Sequence, residues 1–363
     1  DGQLKGIVTS RDFRYADNME DPVSSIMTPF DKLVTVKEGT SQDSVKKMMY
    51  ENRIEKILVI DDKNALSGLV TMKDIEKSAE HPDATKDSSG RLMVGAALGT
   101  GSDTLDRAKA LHEVGVDVFV IDSAHGHSKN VLDTIKLVRE HFPDVEIIGG
   151  NVATPEGAQA LVEAGADAIK VGMGPGSICT TRIIAGIGVP QITAIMTIRE
   201  ALVGKGVSLI ADGGIRFSGD IAKAIAAGAD SVMMGGLFAG TEEAPGEVEL
   251  FQGRSFKTYR GMGSIGAMTY RKEASNRYLQ DDIDPEKLVP EGIEGRVPYK
   301  GLVISVIDQL IGGVRQSMGY VGCKTIDAMK KDSQFIEITN AGMAESHVHD
   351  VMITKEAPNY QRG

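Results

Sequence analysis

Three stretches of the sequence share one pattern: Gly115-Val-Asp-Val-Phe-Val-Ile-Asp122, Gly165-Ala-Asp-Ala-Ile-Lys-Val-Gly172 and Gly228-Ala-Asp-Ser-Val-Met-Met-Gly235. In each stretch, a glycine suited to ending a helix precedes an aspartate and then a short, mostly apolar run that is typical of a buried strand. Alanine-rich helical segments separate these runs. Strands and helices that alternate this often predict a parallel sheet covered by helices, which is the α/β class.

The number of strand–helix units favours a (β/α)8 TIM barrel. Further strands are predicted to end at residues 149–151, 193–195 and 211–214. Polar residues that look functional follow almost every strand, and barrels carry their chemistry at the carboxyl ends of their strands. A doubly wound open sheet is the alternative, but it would concentrate such residues at one switch point. We expect the first barrel strand to lie upstream of residue 1.

A smaller domain is predicted at the amino-terminal end. The segments 2–12 (GQLKGIVTSRD) and 64–74 (NALSGLVTMKD) echo each other, and each ends in Thr-x-x-Asp at the start of a helix. One such motif is an ordinary helix cap, but two copies in the same context favour a function for Asp12 and Asp74. A breaker-rich linker at 81–90 separates residues 1–80 from a catalytic domain at 81–363. Within that domain, the polar stretch at about 251–300 predicts a mobile flap.

Composition excludes several classes of protein. The net charge of −11 provides no broad basic surface for nucleic acid or an anionic membrane. No apolar run approaches the roughly 18 residues that would span a bilayer. The two cysteines, Cys179 and Cys323, are too few for a disulfide framework, so we expect a reduced compartment and a cytoplasmic location.

The segment 171–182, VGMGPGSICTTR, is the strongest candidate for chemistry. Its alternate glycines allow the backbone to approach a ligand closely, and Ser177 can reach a phosphate. Cys179 is predicted to be an exposed, activated nucleophile because of these glycines and the Thr-Thr-Arg that follows. Cys323 is predicted to be a buried small apolar residue. The pair His125 and His127 is a weak candidate for a metal site, since no clear set of further ligands accompanies it.

Glycines at the ends of the last two predicted strands indicate a phosphate site. Barrels often bind phosphate there with backbone amides, and Gly214, Gly235 and Gly236 occupy these positions. Asp212 would then be placed to bind the two hydroxyls of a ribose. Together these residues predict a site for a nucleoside monophosphate, although Asp212-Gly-Gly214 alone could be only a tight turn.

Eight motifs resemble those of the bacterial inosine-5′-monophosphate (IMP) dehydrogenase family. They are GMGPGSICTTR, ADGGI, SVMMGG, APGE, YRGMGS, NRY, EGIEG and ESH. The resemblance implies that Cys179 attacks C2 of IMP, that a hydride passes to NAD, and that water hydrolyses the resulting thioimidate to XMP. The amino-terminal repeats resemble CBS modules, which implies an adenine or guanine nucleotide bound at Asp12 and Asp74.

The resemblance also implies a role for each residue at the site. The phosphate of the substrate would be bound by Ser177, Gly214, Gly235, Gly236 and Tyr259, and its ribose by Asp212. The edge of the purine base would be bound by Gly261, Met262, Gly263 and Glu291. NAD would lie near Asp122, Ser123, Asn151 and Gly172. The hydrolytic water would be activated by Thr181, Arg277 and Tyr278, with either Arg277 or a Thr181–Glu291 relay as the base. Potassium would be bound by Gly174, Gly176 and Cys179, together with Glu345, Ser346 and His347 of a neighbouring subunit in a homotetramer.

Two alternatives remain open on the sequence. GMP reductase would share the barrel, the cysteine loop and the phosphate site, but we expect it to lack the CBS region and the Asn276-Arg-Tyr278 signature. A non-catalytic nucleotide sensor would be expected to have lost Cys179, Thr181 or Arg277. All three are present here.

Overall fold

The computed structural model describes residues 3–14, 18, 20–88, 90–270, 277–278, 280 and 284–360. The chain divides into two compact units, one ending at Met93 and the other beginning at Val94. Part of the predicted flap, including Asn276, lies outside the described residues. No helix in the described ranges combines the length and the apolar composition needed to cross a bilayer.

The first unit contains a small mixed sheet packed against two helices. The strands of the unit are β1 (Gly6–Ile7), β2 (Thr28–Pro29), β3 (Thr35–Lys37), β4 (Lys56–Ile60) and β5 (Leu66–Thr71). The helices of the unit are α1 (Ser10–Arg14), α2 (Val23–Ile26), α3 (Gln42–Asn52) and α4 (Met72–Glu80). Strand β4 pairs parallel with β3 and antiparallel with β5, while β1 and β2 form a separate ribbon. The order β3-α3-β4-β5-α4 forms a β-α-β-β-α unit with a core around Met49 and Ile57.

The second unit is built on a six-stranded parallel sheet. Its strands are β6 (Gly95–Leu98), β7 (Val118–Asp122), β8 (Glu146–Val152), β9 (Ala168–Val171), β10 (Ser208–Asp212) and β11 (Ser231–Met233). They are hydrogen-bonded in chain order from β6 to β11. A doubly wound sheet would reverse this order at a switch point, so the sheet is that of a barrel.

Helices follow the strands of this sheet. They are α5 (Thr104–Glu113), α6 (Lys129–His141), α7 (Pro155–Ala164), α8 (Thr181–Ile184), α9 (Gln191–Ala201), α10 (Ser218–Ala226) and α11 (Gly236–Ala239). The strand predicted to end at residues 193–195 is wrong, because these residues lie in α9. Ala194, Ile195 and Ile198 are fully buried at helical spacing against the core, so an apolar helix face was mistaken for a strand.

The Gly-x-Asp pattern has a structural role that is repeated in three units. Gly115, Gly165 and Gly228 all have positive φ, at 83°, 111° and 117°. Each following aspartate accepts a hydrogen bond from the backbone N–H at the start of the preceding strand: Asp117 from Val94 (2.7 Å), Asp167 from Ile147 (2.8 Å) and Asp230 from Leu209 (2.7 Å). The motif therefore joins the amino ends of neighbouring strands.

Beyond β11 the chain forms a second, antiparallel sheet and then three helices, the first of which packs against α10. Strands β12 (Val248–Phe251), β13 (Arg254–Arg260) and β14 (Glu294–Pro298) form an antiparallel sheet, and α12 (Ile265–Tyr270) follows β13. The described ends of the predicted flap are thus regular structure. Helices α13 (Val303–Val321), α14 (Ile326–Asp332) and α15 (Asn340–Ser346) complete the unit, and Cys323 is buried beside α13, as predicted.

Candidate active site

Cys179 lies on the loop between β9 and α8, at the carboxyl end of the sheet. Its thiol is free and half-buried, and Sγ donates a hydrogen bond to Thr181 Oγ1 over 3.2 Å. The segment that contains Glu291 pairs with this loop: Thr180 N donates to Glu291 O (2.9 Å), and Ile293 N donates to Ile178 O (3.0 Å). The backbone therefore fixes the position of the thiol from both sides.

The residues predicted to read the purine base gather around the same loop. Glu291 N donates to Gly263 O over 3.0 Å. A Cβ on Gly261 would lie 3.4 Å from Ile178 O, so the backbone of the 261–263 turn packs directly against the cysteine loop. Met262 in the same turn has a half-exposed side chain. The structure thus brings all four predicted base-binding residues to the cysteine loop.

Arg182 holds the backbone of the cysteine loop through hydrogen bonds to two carbonyls. Its Nε donates to Met173 O over 2.9 Å, and Nη2 donates to Val189 O over 2.5 Å. A Cβ on Gly174 would lie 2.4 Å from Arg182 Cγ, and the positive φ of 82° at this position also favours glycine. The guanidinium therefore braces the backbone. The described hydrogen bonds of Arg182 go to carbonyls of the loop, so activation of the thiol by the Thr-Thr-Arg sequence stays a prediction.

Four predicted phosphate-binding residues converge beside β11. A Cβ on Gly235 would lie 2.4 Å from Tyr259 Oη, and one on Gly236 would lie 3.0 Å from Ser177 Oγ. Burial raises the pKa of Tyr259 above its ordinary value, although its hydrogen bond with Ser177 opposes this. Gly214 lies on the other side of the cysteine loop, where an added Cβ would be 3.3 Å from Pro175 Cβ. The cradle is therefore lined by glycine backbone and two hydroxyls.

A buried cluster of charges lies at the carboxyl ends of β7 to β10. Lys170 Nζ is 2.8 Å from Asp122 Oδ1 and 2.8 Å from Asp212 Oδ2, and it also donates to Asn151 Oδ1. Asn151 Nδ2 donates to Asp212 Oδ2 (2.9 Å) and to Gly172 O (2.8 Å). The predicted ribose ligand and the predicted NAD ligands are therefore parts of one network.

Sequence reasoning missed Lys170, the centre of this network. It was directed only at residues that follow the strands, whereas Lys170 lies inside β9. The available signal was a lysine in an otherwise apolar strand predicted to be buried, since an isolated charge is rarely fully buried without partners.

Arg277 contacts the residues predicted to bind NAD. Its guanidinium donates to Asp122 Oδ2, and its carbonyl accepts from Ala124 N (3.1 Å) and Ser123 Oγ (3.4 Å). Burial lowers the pKa of Arg277, although a charge interaction and hydrogen bond with Tyr278 oppose this. Arg277 Nε is buried and has no hydrogen-bond partner among the described residues.

Tyr278 extends the same segment toward the thiol. Burial is the main reason that the pKa of Tyr278 is raised, and the nearby Cys179 and Glu291 add to the effect. A Cβ on Gly263 would lie 2.7 Å from Tyr278 Cζ. The two predicted water-activating residues of the flap, Arg277 and Tyr278, are thus in the site. Thr181 is also present, but its described side-chain hydrogen bond is with Cys179, and none to the Glu291 carboxylate is found in the described ranges.

The predicted potassium ligands are not brought together within one chain. Gly176 O accepts from Cys179 N over 3.1 Å within the loop. The three tail residues lie at the end of α15, where Ser346 Oγ donates to Gly342 O (2.7 Å) and His347 Nδ1 is 2.9 Å from Tyr360 Oη. Glu345 belongs to the same helix. No described contact joins this tail to the cysteine loop.

The two predicted nucleotide-binding aspartates cap their own helices. Asp12 Oδ2 accepts from Thr9 N (2.6 Å) and Thr9 Oγ1 (2.8 Å), and Asp74 Oδ2 accepts from Thr71 N (2.8 Å) and Thr71 Oγ1 (2.7 Å). These hydrogen bonds, led by the threonine hydroxyl, lower the pKa of both carboxyls. In each aspartate the hydrogen bonds of the cap use Oδ2, and Oδ1 takes no part in the cap.

The described structure does not support a metal site at the histidine pair. The rings of His125 and His127 lie 6.5 Å apart. Over the ranges that the structure describes, no group of three or more histidine, cysteine or carboxylate side chains is arranged to hold a metal ion.

Comparisons with known proteins agree with this geometry. Residues 32–349 match the model of the IMP dehydrogenase / GMP reductase domain. The chain is 57% identical over 363 residues to inosine-5′-monophosphate dehydrogenase of Escherichia coli K12, covering 100% of this chain and 74% of that protein. The corresponding enzyme of Yersinia pestis is 57% identical over 361 residues, covering 99% and 74%.

A solved structure of a GMP reductase is also similar. A variant of the Trypanosoma brucei enzyme in complex with guanosine 5′-monophosphate is 42% identical, with a TM-score of 0.85, and covers 97% of this chain and 72% of that one. The first unit makes up 93 of the 363 residues, so a match this extensive includes most of it. The expectation that reductases lack this region is therefore wrong for this relative, and the region does not separate the two activities. The chain belongs to the IMP dehydrogenase / GMP reductase family.

Proposed function

We propose that this chain is an NAD-dependent IMP dehydrogenase that oxidises IMP to XMP. The observation that carries the proposal is the free Cys179 thiol, held between the 261–263 turn and Glu291 and close to Tyr278. The relatives named IMP dehydrogenase match over the whole chain, which supports the oxidative direction.

The cysteine supplies the nucleophile for a two-stage reaction. The Cys179 thiol releases its proton to solvent as Sγ forms a bond to C2 of IMP, and the hydrogen on C2 leaves with its electron pair. NAD, when bound, accepts this hydride. The remaining thioimidate is hydrolysed when water adds to C2 and the carbon–sulfur bond breaks, which releases XMP and restores the thiol. A thiol suits both stages because it is a strong nucleophile and an acceptable leaving group.

Substrate orientation follows from the cradle and the charge cluster. Ser177, Tyr259 and the backbone at Gly235 and Gly236 would hold the phosphate, and a Cβ at Gly235 would clash with Tyr259 Oη. Asp212 would bind the ribose hydroxyls. The 261–263 turn and Glu291 would contact the base edge and so place C2 against the thiol.

The Arg277–Tyr278 segment would serve the hydrolytic stage. Asp122, Ser123, Asn151 and Gly172 would hold NAD, and the first two of these now contact Arg277. The segment must therefore leave before NAD binds and return afterwards, which is the behaviour of a gating element. The buried, unpartnered Nε of Arg277 leaves a donor for a water molecule. Arg277, with its lowered pKa, and a Thr181–Glu291 relay are the two candidates for the base.

The remaining assignments concern other subunits and ligands. Carbonyls of Gly174, Gly176 and Cys179 would bind potassium, because hard cations prefer oxygen ligands. Glu345, Ser346 and His347 would complete that site from a neighbouring subunit of a homotetramer. The first unit would act as a CBS regulatory region that binds an adenine or guanine nucleotide at Asp12 and Asp74.

Rapid mixing with IMP and NAD in potassium buffer tests the proposal. We expect a burst of NADH absorbance and, by mass spectrometry, a purine adduct on Cys179. Cys179→Ala should abolish both signals, whereas Cys323→Ala, at the buried cysteine, should retain both. Consumption of NADPH with GMP and no NADH from IMP would instead assign the chain to GMP reductase.

A further inference from the structure

The buried lysine of strand β9 contacts both halves of the candidate site. Lys170 is only 3% exposed, and its Nζ lies 2.8 Å from a carboxylate oxygen of Asp122 and 2.8 Å from one of Asp212. Asp122 ends β7 and contacts Arg277, whereas Asp212 ends β10, two residues before Gly214. We propose that Lys170 is a positioning residue that couples the Arg277 segment to Asp212 and thereby to the bound nucleotide.

The backbone is built to admit this side chain. Gly150 pairs with Lys170 across the sheet, and a Cβ on Gly150 would lie 2.6 Å from Lys170 Cβ. Neighbouring positions in β9, such as Ile169, face the helices and belong to the main core, so Lys170 points to the opposite face of the sheet. A Cβ on Gly150 would also lie 2.8 Å from the Lys170 carbonyl oxygen, so glycine at 150 allows the backbones of β8 and β9 to approach closely at the lysine.

Lys170 is placed to act through other residues, because three protein oxygens already lie close to its ammonium group. It donates hydrogen bonds to Asn151 Oδ1 and Asp212 Oδ2, and its contact with Asp122 Oδ1 at 2.8 Å is an ion pair without hydrogen-bond geometry. Because Lys170 donates to Asn151 Oδ1, the amide Nδ2 must face Asp212 and Gly172. The lysine thus fixes the orientation of the amide as well as the two carboxylates.

Charge balance explains why the coupling is energetic as well as geometric. Two cations, Lys170 and Arg277, face two carboxylates, Asp122 and Asp212, in a largely buried cluster. Each of these carboxylate oxygens lies 2.8 Å from Lys170 Nζ, so the two oxygens are separated by at most twice that distance. Without the lysine, the two negative charges repel each other in a poorly solvated space. The Asp212 carboxylate then lacks the ammonium group that fixes its position. Its electrostatic energy depends more strongly on whether Arg277 neutralises Asp122.

A double-mutant cycle tests the coupling, with IMP affinity measured by calorimetry in the absence of NAD. Lys170→Met keeps an unbranched side chain, one atom shorter, and removes its charge, and we expect it to weaken IMP binding by about tenfold or more. Asp122→Asn is the second single variant, and the effect of Lys170→Met is compared in its presence and absence. The double variant should recover most of the loss, because removing one carboxylate ends the repulsion on Asp212.

Lys257 provides the matched control. It is another buried lysine, but its ammonium donates to carbonyls of Thr241, Glu242 and Ala244. Asp122→Asn should therefore give no rescue of Lys257→Met. A double variant of Lys170 and Asp122 that binds IMP as weakly as Lys170→Met, or a Lys170→Met variant that binds like the wild type, overturns the proposal.

The cycle also has a readout that does not depend on the proposed function, on which the inference otherwise rests. If Lys170→Met does not fold, the same cycle is read in thermal unfolding, where Asp122→Asn must restore the transition; a double variant that also fails to fold overturns the coupling. If the wild type binds no IMP, the proposed function fails, while the unfolding cycle still decides the role of Lys170.

Discussion

Asp230, the aspartate of the third Gly-x-Asp pattern, is predicted to contribute more to stability than an ordinary surface carboxylate. Its Oδ2 accepts from Leu209 N (2.7 Å) and from Arg199 Nη2 (2.5 Å), and its Oδ1 accepts from Lys330. Asp230→Ala leaves the N–H of the fully buried Leu209 without a partner, which costs about 1–3 kcal/mol. The two partly exposed ion pairs add about 0.2–1 kcal/mol each.

The expected loss is therefore about 1.5–5 kcal/mol, and the assay is thermal unfolding. At about 2 °C per kcal/mol for a unit of this size, such a loss lowers the melting temperature by roughly 3–10 °C. Asp327→Ala is the control: this carboxylate also faces Lys330, at 4.0 Å, but it is 96% exposed and should change the melting temperature very little. Equal effects of the two substitutions would refute the reasoning, because they would show that the strand contact contributes nothing.

The pH dependence provides a second check. Burial by itself raises the pKa of Asp230, but hydrogen bonds from Lys330 and Leu209 and the charge of Arg199 outweigh it, so the pKa is lowered overall. A carboxyl with a lowered folded-state pKa stabilises the fold above the unfolded-state value of about 4 and loses that contribution as the pH falls below it. The difference between wild type and Asp230→Ala should therefore shrink in acid. A difference that grows in acid would contradict this account.

Three further predictions concern ligands. Gly235→Ala puts a methyl group 2.4 Å from the present position of Tyr259 Oη and should raise the KM for IMP about tenfold, with a smaller effect on kcat, in steady-state assays. Arg277→Ala, which frees Asp122, should retain the NADH burst but slow turnover by about 10²-fold or more in rapid mixing; equal loss of both stages would contradict a water-activating role. Asp74→Asn should weaken ATP or GTP binding about tenfold by calorimetry, and unchanged affinity for both would remove Asp74 from the site.

The sheet could be predicted because its pattern is local and repeated. Positive φ at Gly115, Gly165 and Gly228 and the strands after them follow from neighbouring residues alone. The predicted burial is wrong for the third strand, β11, where Met233 is half-exposed because β11 is the edge strand of the sheet. The error at residues 193–195 arose where the signal was ambiguous. Ala194 and Ile195 form a short apolar run that suits either a strand or a helix, and only the further contact of Ile198 with the core decides between them.

The site was predictable where its residues follow strands, and it was missed where one lies within a strand. The cysteine loop and the glycines that line the phosphate cradle are visible as breaks in the apolar pattern. Lys170 required knowledge of which face of β9 it occupies, which depends on pairing with β8 and β10. The potassium assignment lies further from reach, because backbone carbonyls carry no sequence signal and Glu345 would have to come from another chain.

The two ends of the same strands perform separable tasks, and this follows from the parallel order of the sheet. Because β7 to β11 run side by side in chain order, all their amino ends meet at one edge and all their carboxyl ends at the other. Asp230 joins strands at the first edge, whereas Asp212 and Gly235 line the site at the second. Substitution at Asp230 should thus lower the melting temperature without changing the IMP affinity of the folded protein. Lys170 lies between these cases, since it is buried like a core residue yet contacts only groups of the site, so its loss should change both properties together.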